Sequence, residues 1–180
     1  MNRTMAELEA MLPRILEAPG DAGVIEMIVR RPAEDEREIV SEAELDAEVG
    51  LVGDNWMTRG PARDGSGPDP MAQLTLMNAR STDVVAGSRE RWPLCGDQIY
   101  VDMDLSIENL PPGARVTIGD AIVEISPTPH TGCHKFSARF GADALRFVNV
   151  GLGKQQRLRG VNAFVIEGGS FHVGDVVKKV

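Results

Sequence analysis

No stretch of this chain approaches the roughly 20 consecutive apolar residues that span a bilayer. The opening run, MNRTMAELEAML, lacks the basic start and unbroken apolar core of a secretory signal, because acids interrupt its apolar positions. Cytoplasmic residence without a membrane partner is therefore expected. Cysteine is almost missing: Cys95 and Cys133 alone make no disulfide framework. An excess of positive charge is missing as well. The 19 Lys and Arg face 27 Asp and Glu, for a net charge of −8, and such a field repels nucleic acid and anionic lipid. Local basic clusters can still hold a small phosphorylated ligand. The chain has no G-x-G-x-x-G, no strand–helix–strand alternation and no repeat of fixed period, which argues against a dinucleotide fold.

What is present is the composition of an ordinary globular chain, 42% apolar and 26% charged over 180 residues. That length suits one domain, 1–180, with an N-terminal helix inside 1–20 and a core over about 22–180. Thr4 and Glu7 form a capping box ahead of apolar residues at helical spacing that stop at Pro19-Gly20. Strands are expected at Val24–Arg31, Arg37–Val40, Met71–Met77, Ile99–Leu105, Arg115–Ile118, Ala121–Ser126, Val161–Glu167 and Asp175–Val180. Ser41-x-x-Glu44 predicts a short helix closed by Gly50, and Ser81–Ala86 a helix or turn. The run RGPARDGSGPDP at 59–70 predicts a long surface loop. In Ile99–Leu105, Tyr100, Asp102 and Asp104 alternate with apolar residues, which predicts one solvated face. Gly-Asp recurs at 53–54, 96–97, 119–120 and 174–175 and reads as turn chemistry. Trp56 and Trp92 are expected to anchor the core, and His172 to be structural. Many short strands with few helices predict a mainly β fold, a closed or partly open antiparallel barrel with a few short helices.

The segment SPTPHTGCHKFSARFG, 126–141, carries the chemistry. A strand stops at two prolines, Thr131 stands where a helix cap would be, and Gly141 is the stop. Cys133 then falls in a first helical turn, where free backbone N–H groups and nearby Lys135, His130 and His134 favour thiolate over thiol. A thiolate can be a soft metal ligand, a nucleophile or a persulfide carrier. Three other chemistries draw on the same residues. Zinc through His130, Cys133 and His134 lacks a second ligand pair. A Cys–His hydrolase needs a base that only the fold can supply. Covalent haem attachment needs Cys-x-x-Cys-His, and this chain has His130-x-x-Cys133-His134.

Over about residues 94–180 the ordered motifs resemble those of the molybdenum-cofactor-sulfurase C-terminal (MOSC) family. They are the turn Gly96-Asp97-Gln98, Leu110-Pro-Pro-Gly113 leading to Ile118-Gly119-Asp120, and Pro129 before Cys133 and Lys135-Phe136. Arg157-Leu-Arg159-Gly160 and a terminal Gly174-Asp175 complete the set. The resemblance implies a stand-alone member with a closed β-barrel that binds the molybdenum cofactor. Cys133 would ligate the metal as the catalytic residue, and Lys135, Arg157, Arg159, Asn162 and His130 would bind the cofactor. It implies an oxidoreductase acting on a small N-hydroxylated or related N–O substrate, fed by an electron-donor protein. The alternative it carries is a module that holds cofactor or a Cys133 persulfide without turnover. Stand-alone relatives also carry a pyridoxal-phosphate assignment by analogy with the sulfurase's other domain.

Overall fold

A computed structural model describes residues 2–58 and 67–180. Thr4 caps α1 (Met5–Ala10), with Glu7 completing the capping box. Pro13 sits in the first turn of α2 (Leu12–Leu16), so the expected N-terminal helix is two short ones. The long first strand, β1 (Ala22–Arg30), then enters the barrel. It is followed by β2 (Glu38–Val40), β3 (Glu42–Asp46) and β4 (Gly50–Leu51). Next come β5 (Leu74–Asn78) and α3 (Ala79–Ala86), a helix capped by the Asn78 side chain. After a 3₁₀ turn at Arg89–Cys95 the chain forms β6 (Ile99–Asp102), β7 (Arg115–Ile118) and β8 (Ala121–Ile125). Helices α4 (His134–Phe140), α5 (Ala142–Asn149) and α6 (Leu152–Gln155) precede β9 (Val161–Glu167), β10 (Gly169–His172) and β11 (Val176–Lys179).

Seven strands close a barrel in the order β11-β7-β8-β9-β5-β6-β1, with β1 pairing back to β11 and β2 added outside β1. All these pairings are antiparallel except β5 with β6, so the expected antiparallel barrel is a mixed one. The chain can make that parallel step because α3 and the 3₁₀ turn carry it back across the outside. A bulge between Ile25 and Met27 lets one strand serve two cores: Ile25 and Ile28 face the barrel interior, Met27 and Val29 the outside. Aliphatic residues such as Leu74, Leu76, Val123 and Ile125 fill the interior. A second core lies between the outer wall and the helices and holds Leu8, Trp92, Tyr100, Phe136 and Phe140.

That second core corrects the reading of Ile99–Leu105. Tyr100 is fully buried and donates to the Trp92 carbonyl at 2.8 Å, because helices cover the face expected to be wet. Only Asp102 of that face stays half-exposed within the strand, paired with Arg80. The expected helix at Ser41–Gly50 is also corrected. Glu42–Asp46 forms β3, which pairs residue for residue with β10. Leu45 is buried while Glu42 and Glu44 are exposed, a period of two, and cross-strand pairing outweighs the local cap signature. Most of the expected loop at 59–70 lies outside the described residues. Its end, Asp69, caps a 3₁₀ turn at Pro70–Ala72. Trp56 and Trp92 are both buried. Among the described residues no helix is long and apolar enough to cross a membrane.

Candidate functional site

Beyond β8, the strip Ser126–Gly132 has no regular structure and ends at Cys133. Two contacts fix it. The Asn149 side chain clamps the Gly132 peptide, accepting from its N–H at 2.9 Å and donating to its carbonyl at 3.1 Å. A Cβ at Gly132 would stand 2.7 Å from the end of the Leu145 side chain, which would have to shift to admit it. Cys133 is the cap residue of α4, two residues beyond the Thr131 expected in that role. Its extended backbone turns an exposed sulfur towards the N–H groups of Phe136 and Lys135. Partial burial works against the thiolate, but those N–H groups and the Arg159 charge outweigh it. The pKa of Cys133 therefore lies below the ordinary thiol range. Cys95 is the opposite case: buried beside Asp97, its thiol is pushed well above that range. Limited iodoacetamide at neutral pH is expected to alkylate Cys133 while Cys95 stays unmodified in the folded protein. Peptide mass mapping checks this, and equal labelling of the two sulfurs would contradict the difference in environment.

Cys133 lines a cavity of about 690 Å³ together with Arg31, Arg37, Lys135, Arg139 and Arg159. Five cationic side chains converge there in a chain of net charge −8. Some are already engaged. Arg31 and Asp54 form a buried bidentate pair at 2.8 and 2.9 Å, and Lys135 reaches Glu34 at 2.7 Å. Arg139 meets Asp35 at 3.1 Å. Arg37 donates to the Pro93 and Glu36 carbonyls, and its pKa is lowered by burial and by the nearby charges of Arg139 and Arg31. A guanidinium held among like charges is a place where an anion would be welcome.

Behind the cysteine lies a buried chain of three groups. Gly96, with φ of 92°, ends the 3₁₀ turn and swings Asp97 inward, where its carboxylate is fully buried. Asp97 accepts from Arg159 at 2.6 Å and meets His130 Nε2 at 2.9 Å. Arg159 also donates to the Cys95 carbonyl and lies over the Phe136 ring at 5.0 Å. Gly160 makes this possible: its φ is 102°, and a Cβ there would meet the Leu76 carbonyl oxygen at 2.2 Å. Burial, then the Arg159 charge, lowers the His130 pKa, so the imidazole is neutral near pH 7.

The structure thus brings Cys133, Lys135, His130 and Arg159 to one cavity. Arg157 and Asn162 lie elsewhere, on a second cavity of about 340 Å³ that shares only His130, Thr131 and Arg159 with the first. Asp97, Asn149, Arg37 and the Arg31–Asp54 pair were not anticipated; the Gly-Asp dipeptides at 53–54 and 96–97 were the available signal. Zinc is not favoured, since no group of three or more His, Cys, Asp or Glu among the described residues is placed to hold a metal. His130 is turned to Asp97 and His134 is exposed. His172 is exposed at the end of β10, near Glu42 and Asp175.

The fold is similar to that of YuaD from Bacillus subtilis, with a TM-score of 0.66 at 15% identity over 87% of this chain and 94% of that one. YiiM from Escherichia coli matches with a TM-score of 0.56 at 20% identity, over 87% of this chain and 69% of YiiM. YiiM from Geobacillus stearothermophilus matches with a TM-score of 0.54 at 13% identity, over 88% and 73%. The chain shares the barrel fold of YuaD and YiiM, a MOSC-like fold. No family model and no curated protein matches the sequence.

Proposed function

We propose that this chain is a molybdenum-cofactor oxidoreductase that reduces N-hydroxylated or related N–O compounds at the Cys133 cavity. The observation that carries the reading is a thiolate-favouring cysteine on the wall of a cavity ringed by five cationic side chains. The residues fit the group. Its soft metal suits a thiolate, and its phosphate suits the guanidinium-rich wall. The volume lies within the range of cofactor sites, roughly 300–1,000 Å³. Two buried polar atoms on the wall, Asn55 Oδ1 and Arg159 Nε, have no hydrogen-bond partner among the described residues, as expected of groups that await a ligand rich in donors and acceptors.

In this reading Cys133 is the metal ligand. Arg37 and Arg159 hold the phosphate, joined by Lys135 when it exchanges Glu34 for the ligand. Arg157 and Asn162 are left out of the clamp. His130 donates Nε2–H to Asp97, which leaves Nδ1 as an acceptor for the heterocycle edge. The bound cofactor would supply two-electron chemistry, with electrons from a separate donor protein. In the net reaction the N–O bond breaks, two electrons and two protons are taken up, and the oxygen leaves as water. The test is molybdenum quantification on freshly purified protein, followed by turnover of an N-hydroxylated amidine with a reduced viologen dye as donor. About one molybdenum per chain with turnover is expected; protein from molybdate-fed cells that has neither would sink the reading.

A further inference from the structure

The second cavity has a character of its own. Its walls are chiefly apolar, from Ile107, Pro112, Pro127, Pro129, Val148 and Val161. No Asp or Glu lines it, in a chain where acids outnumber bases 27 to 19. It nevertheless receives Lys154 and Arg157. Arg157 is half-buried and donates to the Leu110 carbonyl, which uses one of its five N–H groups. Neither cation meets a carboxylate among the described residues, and burial is the one influence on the Arg157 charge. Arg157 is also strained: its φ is 48°, in the left-handed region that non-glycine side chains avoid. Only Asp35, on the lip of the Cys133 cavity, shares that strain among the described non-glycine residues. Hydrogen bonds from Gly160 N to Arg157 O at 2.7 Å and from Leu158 N to Gly153 O at 2.9 Å hold the turn in place. Strain of this kind persists where surrounding structure enforces it, often at ligand sites.

We propose that this second cavity binds a small carboxylate with a compact hydrocarbon body, its carboxylate on Arg157 and Lys154 and its body against the proline wall. A planar guanidinium fork matches a carboxylate in two parallel hydrogen bonds. Apolar walls reward a hydrocarbon body and offer nothing to a bare hydrated phosphate. The site is independent of the cofactor reading: protein without molybdenum has the same walls and the same cations.

The test titrates full-length protein with 2-naphthoate, its neutral amide 2-naphthamide, and inorganic phosphate. It is followed by calorimetry and by backbone amide shifts. Naphthoate is expected to bind at least about tenfold more tightly than the amide, the scale of one charge-assisted hydrogen bond. The shifting amides should lie at 126–131 and 148–162, and not at 31–37. Lys154→Glu is expected to weaken naphthoate about tenfold or more and to leave the amide unchanged. Because Lys154 is exposed, that variant does not depend on repacking. Arg157→Gln should act in the same direction, with circular dichroism to confirm the fold. Equal affinity for acid and amide would overturn the proposal. So would shifts centred on the Cys133 cavity, phosphate binding as tightly as naphthoate, or Lys154→Glu without effect.

Discussion

Cys133→Ser is expected to lose bound molybdenum and N-reductive turnover by more than about 100-fold while keeping its fold. Loss of a partner that merely supports a ligand already costs 10–100-fold in metal affinity, and the ligand itself should cost more. The hydroxyl is nearly isosteric but stays protonated at neutral pH and is a hard, weak donor for a soft metal. The N–H groups of Lys135 and Phe136 and the Arg159 charge, which favour a thiolate, give a neutral hydroxyl far less. Stability should barely move, because the sulfur is exposed and a serine at the cap of α4 suits the helix start. Cys95→Ala is the control: its side chain packs in the outer core, 3% exposed, and burial holds its thiol in the protonated form. Metal content, turnover and circular dichroism on both variants decide the matter. Full molybdenum retention by Cys133→Ser would remove the ligand role. A wild-type protein that gains the mass of one sulfur atom at Cys133, without turnover, would point to the persulfide carrier.

The four Gly-Asp dipeptides show what could and could not be read from the residues. All four looked like turns, and all four glycines stand at turns with positive φ; in two the carboxylate stays outside the core, where Asp120 accepts from Ser170 Oγ and Asp175 from the His172 N–H. The other two carboxylates turn inward to Arg31 and Arg159, 23 and 62 positions away in sequence. A dipeptide is local information, and the choice between cap and buried ion pair is made by the strands that bring the arginines alongside. Cys133 was legible because its environment is local: a proline-broken strand end, then a helix start whose N–H groups follow within three residues. The same locality misled at Ser41–Gly50, where a capping-box pattern lay in a strand stabilised by partners 124 to 130 residues later. Arg157 and Arg159 are two apart in one motif, yet Arg157 lines only the second cavity while Arg159 is tied to Asp97 on the wall that both cavities share.

Asp97→Asn is expected to destabilise the fold by about 3–5 kcal/mol, the cost of leaving one partner of a buried pair without its counter-charge. The stranded group is Arg159, 7% exposed, whose remaining strong contacts would be a carbonyl and an aromatic face. Pairing the change with Arg159→Met should recover most of the loss, since an apolar side chain over Phe136 needs no counter-charge. The pH dependence follows from the same groups. Burial alone would raise the Asp97 pKa, but Arg159 and His130 outweigh it and the folded value lies below the usual carboxylate range. The unfolded chain therefore binds that proton more readily. The stabilisation is complete above roughly pH 4 and is lost as the pH falls below it. His130 is also lowered, by burial and by Arg159, so its contribution is complete above about pH 6.5 and fades on acidification below that. Wild-type stability should thus decline in two stages as the pH falls. In Asp97→Asn the lower stage should shrink and the upper one deepen, because Asp97 is the charge that favours protonated His130. Urea denaturation between pH 3 and 8 on the wild type, the single variant and the double variant measures all of this. A cost below about 1 kcal/mol for Asp97→Asn, the scale of an exposed ion pair, would mean that the pair is solvated rather than buried.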